Sequence, residues 1–316
     1  MKKIIISGST AYDYIMDFNK NFSESIGNSN SKDPSKLNFS FQVQKLKKEN
    51  GGTGSNICYN LALLQQNALL VSSIGDDFTF KGLIKERINL DNVYKNEHEH
   101  TASAHIINDA EGNQIDAFYP GAMEDADKIS LKGITDNVGW IVIAPNKKQA
   151  MIQHIEEAYE HHDTLKIIFN PGQQVTVFSG EELISCLEKS DYLICNQYEY
   201  EELLEKINKP DVLSSVEKAI ITLGENGCKI LGNHDDILIS AVKTKDFIDP
   251  TGAGDAFIAG VLKGLARGTT LETACRIGSI CAHHCVEFHG SQNHFLNKSL
   301  VEESMMTYFR EEISLY

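Results

Sequence analysis

The chain has 316 residues, 41% of them hydrophobic, and a formal charge of −15. The negative charge and the scattered lysines, which cluster only in KLKK at 45–48, argue against nucleic-acid binding, because a basic stripe is needed to hold a phosphate backbone. The N-terminal MKKIIISGST lacks the long apolar core of a signal peptide, no stretch is long enough to span a membrane, and seven cysteines without a CxxC pair indicate reduced thiols. We therefore expect a cytoplasmic protein without a nucleic-acid or membrane partner.

Segments typical of buried strands and of helices alternate along most of the chain. This alternation predicts an α/β fold with a central, mostly parallel sheet that helices cover on both faces. The predicted strands are 3–8, 69–75, 140–145, 165–171, 191–196 and 218–224. The predicted helices are 53–66, 78–88, 147–161, 179–188, 197–206, 252–267, 270–286 and 299–312. Such sheets bind ligands at the carboxyl ends of their strands.

Two stretches, 13–48 and 93–120, interrupt this order with alternating polar and apolar residues, as in FSFQVQKL and TASAHIIND. Alternation of this kind predicts hairpin strands with one exposed face. We therefore predict a small β-sheet lid above the ligand end of a larger core, with NSNSKDPSK at 28–36 as the best linker candidate. The core then comprises residues 1–12, 49–92 and 121–316.

The sequence CAHHC at 281–285 contains residue types that bind metals. Cys281 and Cys285 share one face of the predicted helix, whereas His283 and His284 point elsewhere. The spacing therefore favours core packing over a metal site.

The segment DPTGAGDAF at 249–257 lies between KTKDFI, which we predict to be a short strand, and an apolar helix. A glycine-rich helix start leaves backbone amides unsatisfied and places the positive end of the helix dipole beside them, so the segment predicts an anion cradle. The common phosphate loops do not fit. The chain has no GxxxxGK[ST], and Phe257 stands where GxGxxG requires its third glycine.

Asp255 is an unusual residue for such a cradle, because its carboxylate would repel a phosphate ligand. A carboxylate there can accept the proton of a hydroxyl group that attacks the phosphate. It can also simply cap the helix, as aspartate often does. The motif alone leaves both interpretations open.

Several motifs together resemble the ribokinase-like (PfkB) family of small-molecule kinases. These are DPTGAGDAF, GGTGSN at 51–56, SIGDD at 73–77, NQYE at 196–199 and ITLGENG at 221–227. The resemblance spans nearly the whole chain and implies a three-layer α/β/α fold with a β lid and an ATP-dependent kinase with an alcohol group as acceptor. Pro250 departs from the usual threonine and removes no side chain that the chemistry needs.

The resemblance also implies roles for individual residues at the phosphate-transfer end of the site. Asp255 is expected to be the base, while the amides that stabilise the transferred phosphoryl group belong to residues 252–255, namely Gly252, Ala253, Gly254 and Asp255. Asn196 binds near the phosphates of ATP, and Glu199 holds Mg²⁺ through water. On their own, these two residues fit an ordinary acidic helix start better than a magnesium site. The nucleotide loop comprises Thr222, Gly224 and Gly227.

On the acceptor side, the resemblance places Asp13 at two neighbouring hydroxyl groups of a sugar ring. Gly51 and Gly52 let the sugar approach the backbone, and the amide of Asn56 completes its hydrogen bonds. Asp17 fits a solvated lid residue better. The aromatic candidates for contact with a purine are Phe39, Phe41, Phe118 and Tyr119, although aromatic residues in a lid often only pack against one another.

The identity of the acceptor is less well determined by the sequence. SGSTAYDYIMDF, AFYPGAM at 117–123 and EFHGSQNH resemble bacterial adenosine-kinase-type members, which favours phosphorylation of adenosine to AMP. A sugar kinase of the ribokinase or fructokinase type and a non-catalytic nucleoside- or sugar-binding sensor remain alternatives. An oxidoreductase would need GxGxxG after the first strand, and the sequence there does not match. A monovalent cation, and the choice between monomer and homodimer, stay open.

Overall fold

The computed structural model of the chain contains a sheet of nine strands and a separate sheet of four strands in its described part. In chain order the strands are β1 (Lys3–Ser7), β2 (Ala11–Asp17), β3 (Lys45–Gly51), β4 (Ala68–Gly75), β5 (Ile88–Asn96), β6 (Ala102–Asn108), β7 (Gln114–Tyr119), β8 (Val138–Ile143), β9 (Lys166–Phe169), β10 (Tyr192–Asn196), β11 (Lys218–Thr222), β12 (Cys228–Leu231) and β13 (Ile237–Ile239). The structure describes residues 2–23, 40–134, 136–161, 163–208, 213, 215–232 and 235–315.

The helices follow the strands in alternation, as predicted. They are α1 (Thr53–Leu63), α2 (Gly82–Arg87), α3 (Lys148–Tyr159), α4 (Gly180–Glu188), α5 (Gln197–Ile207), α6 (Ala253–Ala266), α7 (Leu271–Cys285) and α8 (Lys298–Ser304). Short 3₁₀ segments cover Gly121–Lys128, Gly172–Thr176 and Gly224–Asn226, and a π-helical turn covers Met305–Phe309. None of the helices in the described ranges has both the length and the apolar character that a membrane crossing requires.

The large sheet has the strand order β13, β12, β11, β10, β9, β8, β1, β4, β5. In this sheet, the seven neighbouring strands β11, β10, β9, β8, β1, β4 and β5 run parallel to one another. At the other side, β12 pairs antiparallel with β11, and β13 pairs antiparallel with β12. Consecutive residues of β1 point to opposite faces of the sheet, as strand geometry requires. Ile4 packs in the same core as Phe257 of α6, and Ile5 in the same core as Met151 of α3. Helices therefore cover both faces, which confirms the three-layer prediction.

The small sheet has the order β3, β2, β6, β7, with β2 and β6 parallel and the outer pairs antiparallel. All six residues of β7 and the first four of β3 are exposed, and they include the apolar or aromatic side chains of Leu46, Ile115, Phe118 and Tyr119. The strands fall largely within the two stretches predicted for a lid. The linker candidate at 28–36 and Phe39 lie outside the described residues.

The structure corrects three predictions near the sheet edges. Residues 88–96 form β5 of the large sheet, so 93–96 do not belong to the small sheet, and the helix predicted for 78–88 is limited to Gly82–Arg87. β5 is an edge strand, and its partial exposure produces the alternating pattern of a lid strand. KTKDFI forms no strand: β13 already occupies the sheet edge, and the amide of Ile248 donates to the carbonyl of Val286 instead, at 2.8 Å.

All seven cysteines are buried and unbridged, as the composition predicts. Cys281 and Cys285 have no exposed surface and pack in the core between α6, α7 and α8, which confirms their assignment to core packing.

Candidate active site

The start of helix α6 lies at the carboxyl end of the large sheet and is shaped by Gly252. This residue has φ +82, and a Cβ atom there would lie 2.5 Å from the Cβ atom of Ser291, so only glycine fits. The carboxylate of Asp249 holds the preceding loop by accepting from the amides of Thr251 and Gly290, both at 2.9 Å. Although burial alone would raise it, these hydrogen bonds lower the pKa of Asp249.

The amides of this helix start correspond to the predicted anion cradle with one difference. The amide of Ala253 donates to the carbonyl oxygen of Pro250 at 3.1 Å, so it is already paired. The expectation that all four amides are unsatisfied is therefore wrong for Ala253, because the chain turns tightly at Pro250. The amides of Gly254 and Asp255 belong to the first helical turn, whose donors have no carbonyl partner one turn earlier.

The carboxylate of Asp255 lies against the amide of Asn56 from helix α1. The Nδ2 atom of Asn56 donates to Oδ2 of Asp255 at 2.8 Å. The Oδ1 atom of Asn56 in turn accepts from Oγ of Ser291 and Nε2 of Gln292, both at 2.8 Å. These three hydrogen bonds fix the orientation of the amide, so its NH₂ group faces the carboxylate.

Asp255 has an unusual proton affinity for an aspartate. Burial raises its pKa to about 7, the Asn56 hydrogen bond lowers it, and the negative charges of Asp13 and Glu199 raise it further. A carboxyl group with a pKa close to neutrality suits a general base better than a helix cap, because a base works best when its pKa lies near the working pH.

Asp13 lies on strand β2, opposite Glu49 of β3. Burial and the negative charges of Glu49 and Asp249 raise its pKa to about 6. A Cβ atom at Gly51 would lie 2.3 Å from Oδ2 of Asp13, so glycine leaves room for this carboxylate. Gly52 has φ +86 and lies against the backbone of residues 9–11, which places helix α1 at the end of β1.

Asn196 and Glu199 form a capping box at the start of α5. The side chain of Asn196 accepts from the amide of Glu199 at 2.8 Å, and Oε2 of Glu199 accepts from the amide of Asn196 at 3.0 Å. Both residues nevertheless line the same cavity as Asp255. Glu199 is buried, and this burial raises its pKa. The two residues therefore cap helix α5 and also form part of the cavity wall.

Two cavities meet at the start of α6. The first has a volume of about 780 Å³ and contains most of the predicted acceptor and phosphate residues: Asp13, Gly52, Asn56, Phe118, Asn196, Glu199, Thr222, Gly252, Gly254 and Asp255. The second, of about 610 Å³, is lined by the predicted nucleotide residues Thr222, Gly224 and Gly227 and by Ala253. Thr222, Pro250 and Gly254 line both cavities, so a ligand in one can reach the other.

The aromatic candidates separate in the structure. Phe118 is 55% exposed and lines the first cavity. Phe41 packs against Phe18 and Phe22 in the small sheet region, so its selection as a base contact is not supported. Tyr119 donates a hydrogen bond to Glu99 and is not among the residues that line either cavity.

Sequence reasoning did not identify the residues that hold Asn56. Ser291 and Gln292 lie in an irregular loop after α7, within EFHGSQNH, whose only signal was its resemblance to adenosine-kinase-type sequences. The amide side chains of Gln173 and Gln174, which line the first cavity beside Gly172, also lacked a distinguishing pattern.

The three-layer fold, the glycine-shaped helix start and the partly buried Asp255 together define a ribokinase-like small-molecule kinase. The family model for pfkB family carbohydrate kinases matches residues 2–298, and the chain belongs to this family. A nucleoside kinase of Methanocaldococcus jannaschii is 31% identical over 298 residues, covering 92% of this chain and 93% of that protein. A ribokinase of Schizosaccharomyces pombe is 26% identical over 266 residues, covering 77% of this chain and 82% of that protein.

Two solved structures extend this similarity to three dimensions. The nucleoside kinase of Burkholderia thailandensis in complex with inosine has a TM-score of 0.84 and 31% identity, covering 98% of this chain and 99% of that one. The nucleoside kinase of M. jannaschii has a TM-score of 0.86 and 30% identity over the same shares. The chain is therefore an ATP-dependent kinase that phosphorylates an alcohol group of a nucleoside or a sugar.

Proposed function

We propose that this kinase transfers the terminal phosphoryl group of ATP to the hydroxymethyl group of a purine nucleoside, with adenosine as the first acceptor to test. The observation that carries the proposal is the single cavity that contains Asp13, Asn56, Asp255 and the exposed ring of Phe118. Similarity to two nucleoside kinases, one of them solved with inosine, supports a nucleoside over a free sugar.

Asp255 acts as the base in this proposal. Its carboxylate takes the proton of the attacking hydroxyl group, and the O–P bond to the acceptor forms as the bond from phosphorus to the leaving ADP oxygen breaks. Asn56 holds the carboxylate in place through its hydrogen bond. The amides of Gly254 and Asp255 and the positive end of the α6 dipole stabilise the charge that develops on the transferred group.

Asp13 and Phe118 would bind the two ends of the nucleoside. The two carboxylate oxygens of Asp13 can each accept one hydroxyl hydrogen of a ribose diol. Phe118 of the small sheet offers an exposed ring face on which a purine can stack. We propose that the small sheet serves as a lid, because Phe118 can then cover the base and exclude water from the reacting groups.

The phosphates of ATP would extend from the second cavity into the first, and the charge of the first cavity indicates how they are accommodated. Its described lining has three carboxyl groups, from Asp13, Glu199 and Asp255, and no lysine or arginine. A bound Mg²⁺ would supply the positive charge that phosphoryl transfer needs. Glu199 through water, together with Asn196, would hold the ion, and their oxygen donors fit a hard cation.

The test is an acceptor panel with ATP and Mg²⁺, in which adenosine, inosine, cytidine, ribose and fructose are compared by kcat/KM. We expect the two purine nucleosides to exceed both free sugars by at least about tenfold, because the base adds buried contact that a free sugar lacks. The Asp255→Asn protein, purified in the same way, shows whether a contaminating kinase contributes. A preference for ribose or fructose would overturn the nucleoside proposal in favour of a sugar kinase.

A further inference from the structure

The 290–294 loop, which carries Ser291 and Gln292, is fixed to helix α1 at a second point away from the two cavities. The Nε2 atom of His294 lies 2.8 Å from Oδ1 of Asn60. The hydroxyl group of Tyr59 donates to the carbonyl oxygen of His294 at 2.8 Å, and the two rings meet edge to face with their centroids 5.3 Å apart. His294 lines neither cavity, so these contacts belong to the support of the site.

The residues of α1 that hold the loop lie on one side of the helix. Asn56 is followed by Tyr59 three positions later and by Asn60 four positions later, and this spacing places their side chains next to one another. Asn56 contacts the loop at the cavity, and one turn further along Tyr59 and Asn60 contact His294. The loop is therefore held along a full turn of α1.

The hydrogen bonds of this group have a defined direction. The Nδ2 atom of Asn60 donates to the backbone carbonyl oxygen of Asn56 at 3.0 Å, so Oδ1 of the same amide is free to accept. His294 must then carry its hydrogen on Nε2 and donate to Asn60. A second proton, on Nδ1, would be a buried donor without an acceptor. Burial and the nearby His284 lower the pKa of His294 to about 4, so the imidazole is neutral at neutral pH.

Packing alone does not account for a histidine at this position. His294 is 1% exposed and Asn60 is fully buried, so both polar side chains have left water. Burying a polar group costs free energy unless it is hydrogen-bonded, and Nδ1 of His294 has no partner among the described residues. An apolar ring would fill the same space without this cost. The bond from Nε2 to Asn60 is therefore the property that distinguishes a histidine here.

We propose that His294 is a positioning residue for phosphoryl transfer, because it fixes the 290–294 loop on α1 and thereby keeps the amide of Asn56 against the carboxylate of Asp255. Ser291 and Gln292 transmit the effect, since both donate to Oδ1 of Asn56 from this loop. The proposal rests on the assignment of Asp255 as the base.

The surroundings of Asp255 make a displacement of Asn56 measurable. Burial and the negative charges of Asp13 and Glu199 raise the pKa of Asp255, and the hydrogen bond from Asn56 lowers it. Burial raises the pKa of the nearby Cys285 thiol to about 12, so this group is neutral. The described lining of the first cavity contains no lysine or arginine that could replace the bond. A weaker bond from Asn56 should therefore raise the pKa of Asp255.

The test measures His294→Phe in the full-length protein with ATP, Mg²⁺ and the acceptor that the panel ranks first. Phenylalanine keeps a ring against Tyr59 and removes the donor to Asn60. We expect kcat to fall about 3- to 10-fold, and the midpoint of the pH profile of kcat/KM to rise by a few tenths of a unit to about one unit, the scale of one ordinary hydrogen bond. The KM for ATP should change less than about twofold, because His294 does not line the nucleotide cavity.

His154→Phe is the matched control, because His154 is also a fully buried histidine. Its Nδ1 atom lies 2.7 Å from Oγ of Ser7, and its Nε2 atom lies 2.9 Å from the carbonyl oxygen of Ile129. It belongs to α3, which covers the opposite face of the large sheet from α1. We expect His154→Phe to lower the Tm while kcat and the midpoint of the pH profile stay at the wild-type values.

Two further variants keep the proposal testable if His294→Phe does not fold, which circular dichroism shows. His294→Gln offers an amide donor to Asn60 and should recover part of the lost kcat. Tyr59→Phe removes only the hydroxyl bond to the loop and should shift kcat and the midpoint in the same directions by smaller amounts.

The proposal is overturned if the folded variants at positions 294 and 59 all keep the wild-type kcat and midpoint, or if kcat falls while the midpoint stays constant. Failure of the base assignment is recognised separately, because Asp255→Asn would then turn over at the wild-type rate. A wrong acceptor is recognised from the acceptor panel and leaves the comparison of these variants intact.

Discussion

The amide of Asn56 donates to the carboxylate of Asp255 at 2.8 Å, across 199 positions of sequence. Asn56 belongs to helix α1 and Asp255 to helix α6, and both helices begin at a glycine with positive φ. The two glycines therefore place the starts of the two helices close enough for one side chain to orient the other.

Replacing Asp255 by asparagine separates a base from a helix cap. Asparagine can still accept from helix amides, so the fold should survive. It cannot accept a proton from the acceptor, so we expect kcat to fall by about 10²–10⁴-fold while nucleoside binding, measured by calorimetry, persists. Asp246→Asn, at an exposed position in the loop before the site, is the control and should leave kcat unchanged. Near wild-type turnover by Asp255→Asn would rule out Asp255 as the base.

The raised pKa of Asp255 predicts the pH dependence of activity. Burial raises this pKa to about 7, and the nearby charge of Asp13 raises it further. Because the base must be deprotonated, kcat/KM should rise between about pH 6 and 8 and level off above. A profile that is flat over this range, measured with the preferred nucleoside, would contradict the role of Asp255.

The same pKa makes a prediction for stability with the opposite sign. A carboxyl group whose pKa is higher in the folded than in the unfolded state destabilises the folded state as pH rises from about 4 to about 7. Asp255→Asn removes this effect. The Tm of the variant minus that of the wild type should therefore increase between about pH 4 and pH 7 and stay constant at higher pH. Thermal unfolding at pH 5 and pH 8 measures the gain, and an equal difference at both pH values would show that Asp255 titrates normally.

Sequence patterns predicted the centre of the fold better than its edges. Strands such as β4, whose eight residues are all buried, are apolar over most of their length, with only Ser72 and Ser73 as polar members of β4. The edge strands β5 and β13, and β12 beside β13, were missed because short or half-exposed strands carry a weak pattern, and β5 alternates as a lid strand does. Their assignment depends on the neighbouring strand that pairs with them, which local sequence does not reveal.

The site shows the same division between local and tertiary information. Asp13, Asn56 and Asp255 could be selected because each lies in a motif that resembles those of the ribokinase-like family, and the structure brings all three to one cavity. Ser291 could not, because it lies in an irregular loop and its importance comes only from contacts with Asn56 and Gly252. Nothing in the loop itself indicates which distant side chains it meets.

Replacing Asp13 by alanine should affect the acceptor and not ATP. If its carboxylate holds a ribose diol, the loss of a charged hydrogen-bond partner costs about 1.5–3 kcal/mol, which corresponds to a roughly 10- to 150-fold rise in the Kd for the nucleoside. The control is Asp17→Ala on the same strand, because Asp17 is half-exposed and lies 3.9 Å from the Nζ atom of Lys45. Equal losses of nucleoside and ATP affinity in Asp13→Ala would indicate a general folding defect instead.

Ser291 provides a test of whether the orientation of Asn56 matters for catalysis. The hydroxyl group of Ser291 lies 2.8 Å from Oδ1 of Asn56 and 3.2 Å from the carbonyl oxygen of Asn50, and its single hydrogen favours the nearer acceptor, Asn56. Ser291→Ala keeps the Cβ atom that packs against Gly252 and removes only this hydroxyl. The substitution therefore perturbs the hydrogen bond without opening space at the start of α6.

We expect Ser291→Ala to lower kcat by about 3- to 10-fold, because one hydrogen bond of about 0.5–1.5 kcal/mol no longer orients the amide that holds the base. The KM for ATP should stay close to that of the wild type. Ser130→Ala, which removes an exposed hydrogen bond to Glu157 far from the cavity, is the matched control and should leave kcat unchanged. If Ser291→Ala turns over at the wild-type rate, Gln292 alone suffices to orient Asn56, because its Nε2 atom donates to the same oxygen at 2.8 Å. The double variant Ser291→Ala, Gln292→Ala then decides whether the orientation of Asn56 contributes to turnover at all.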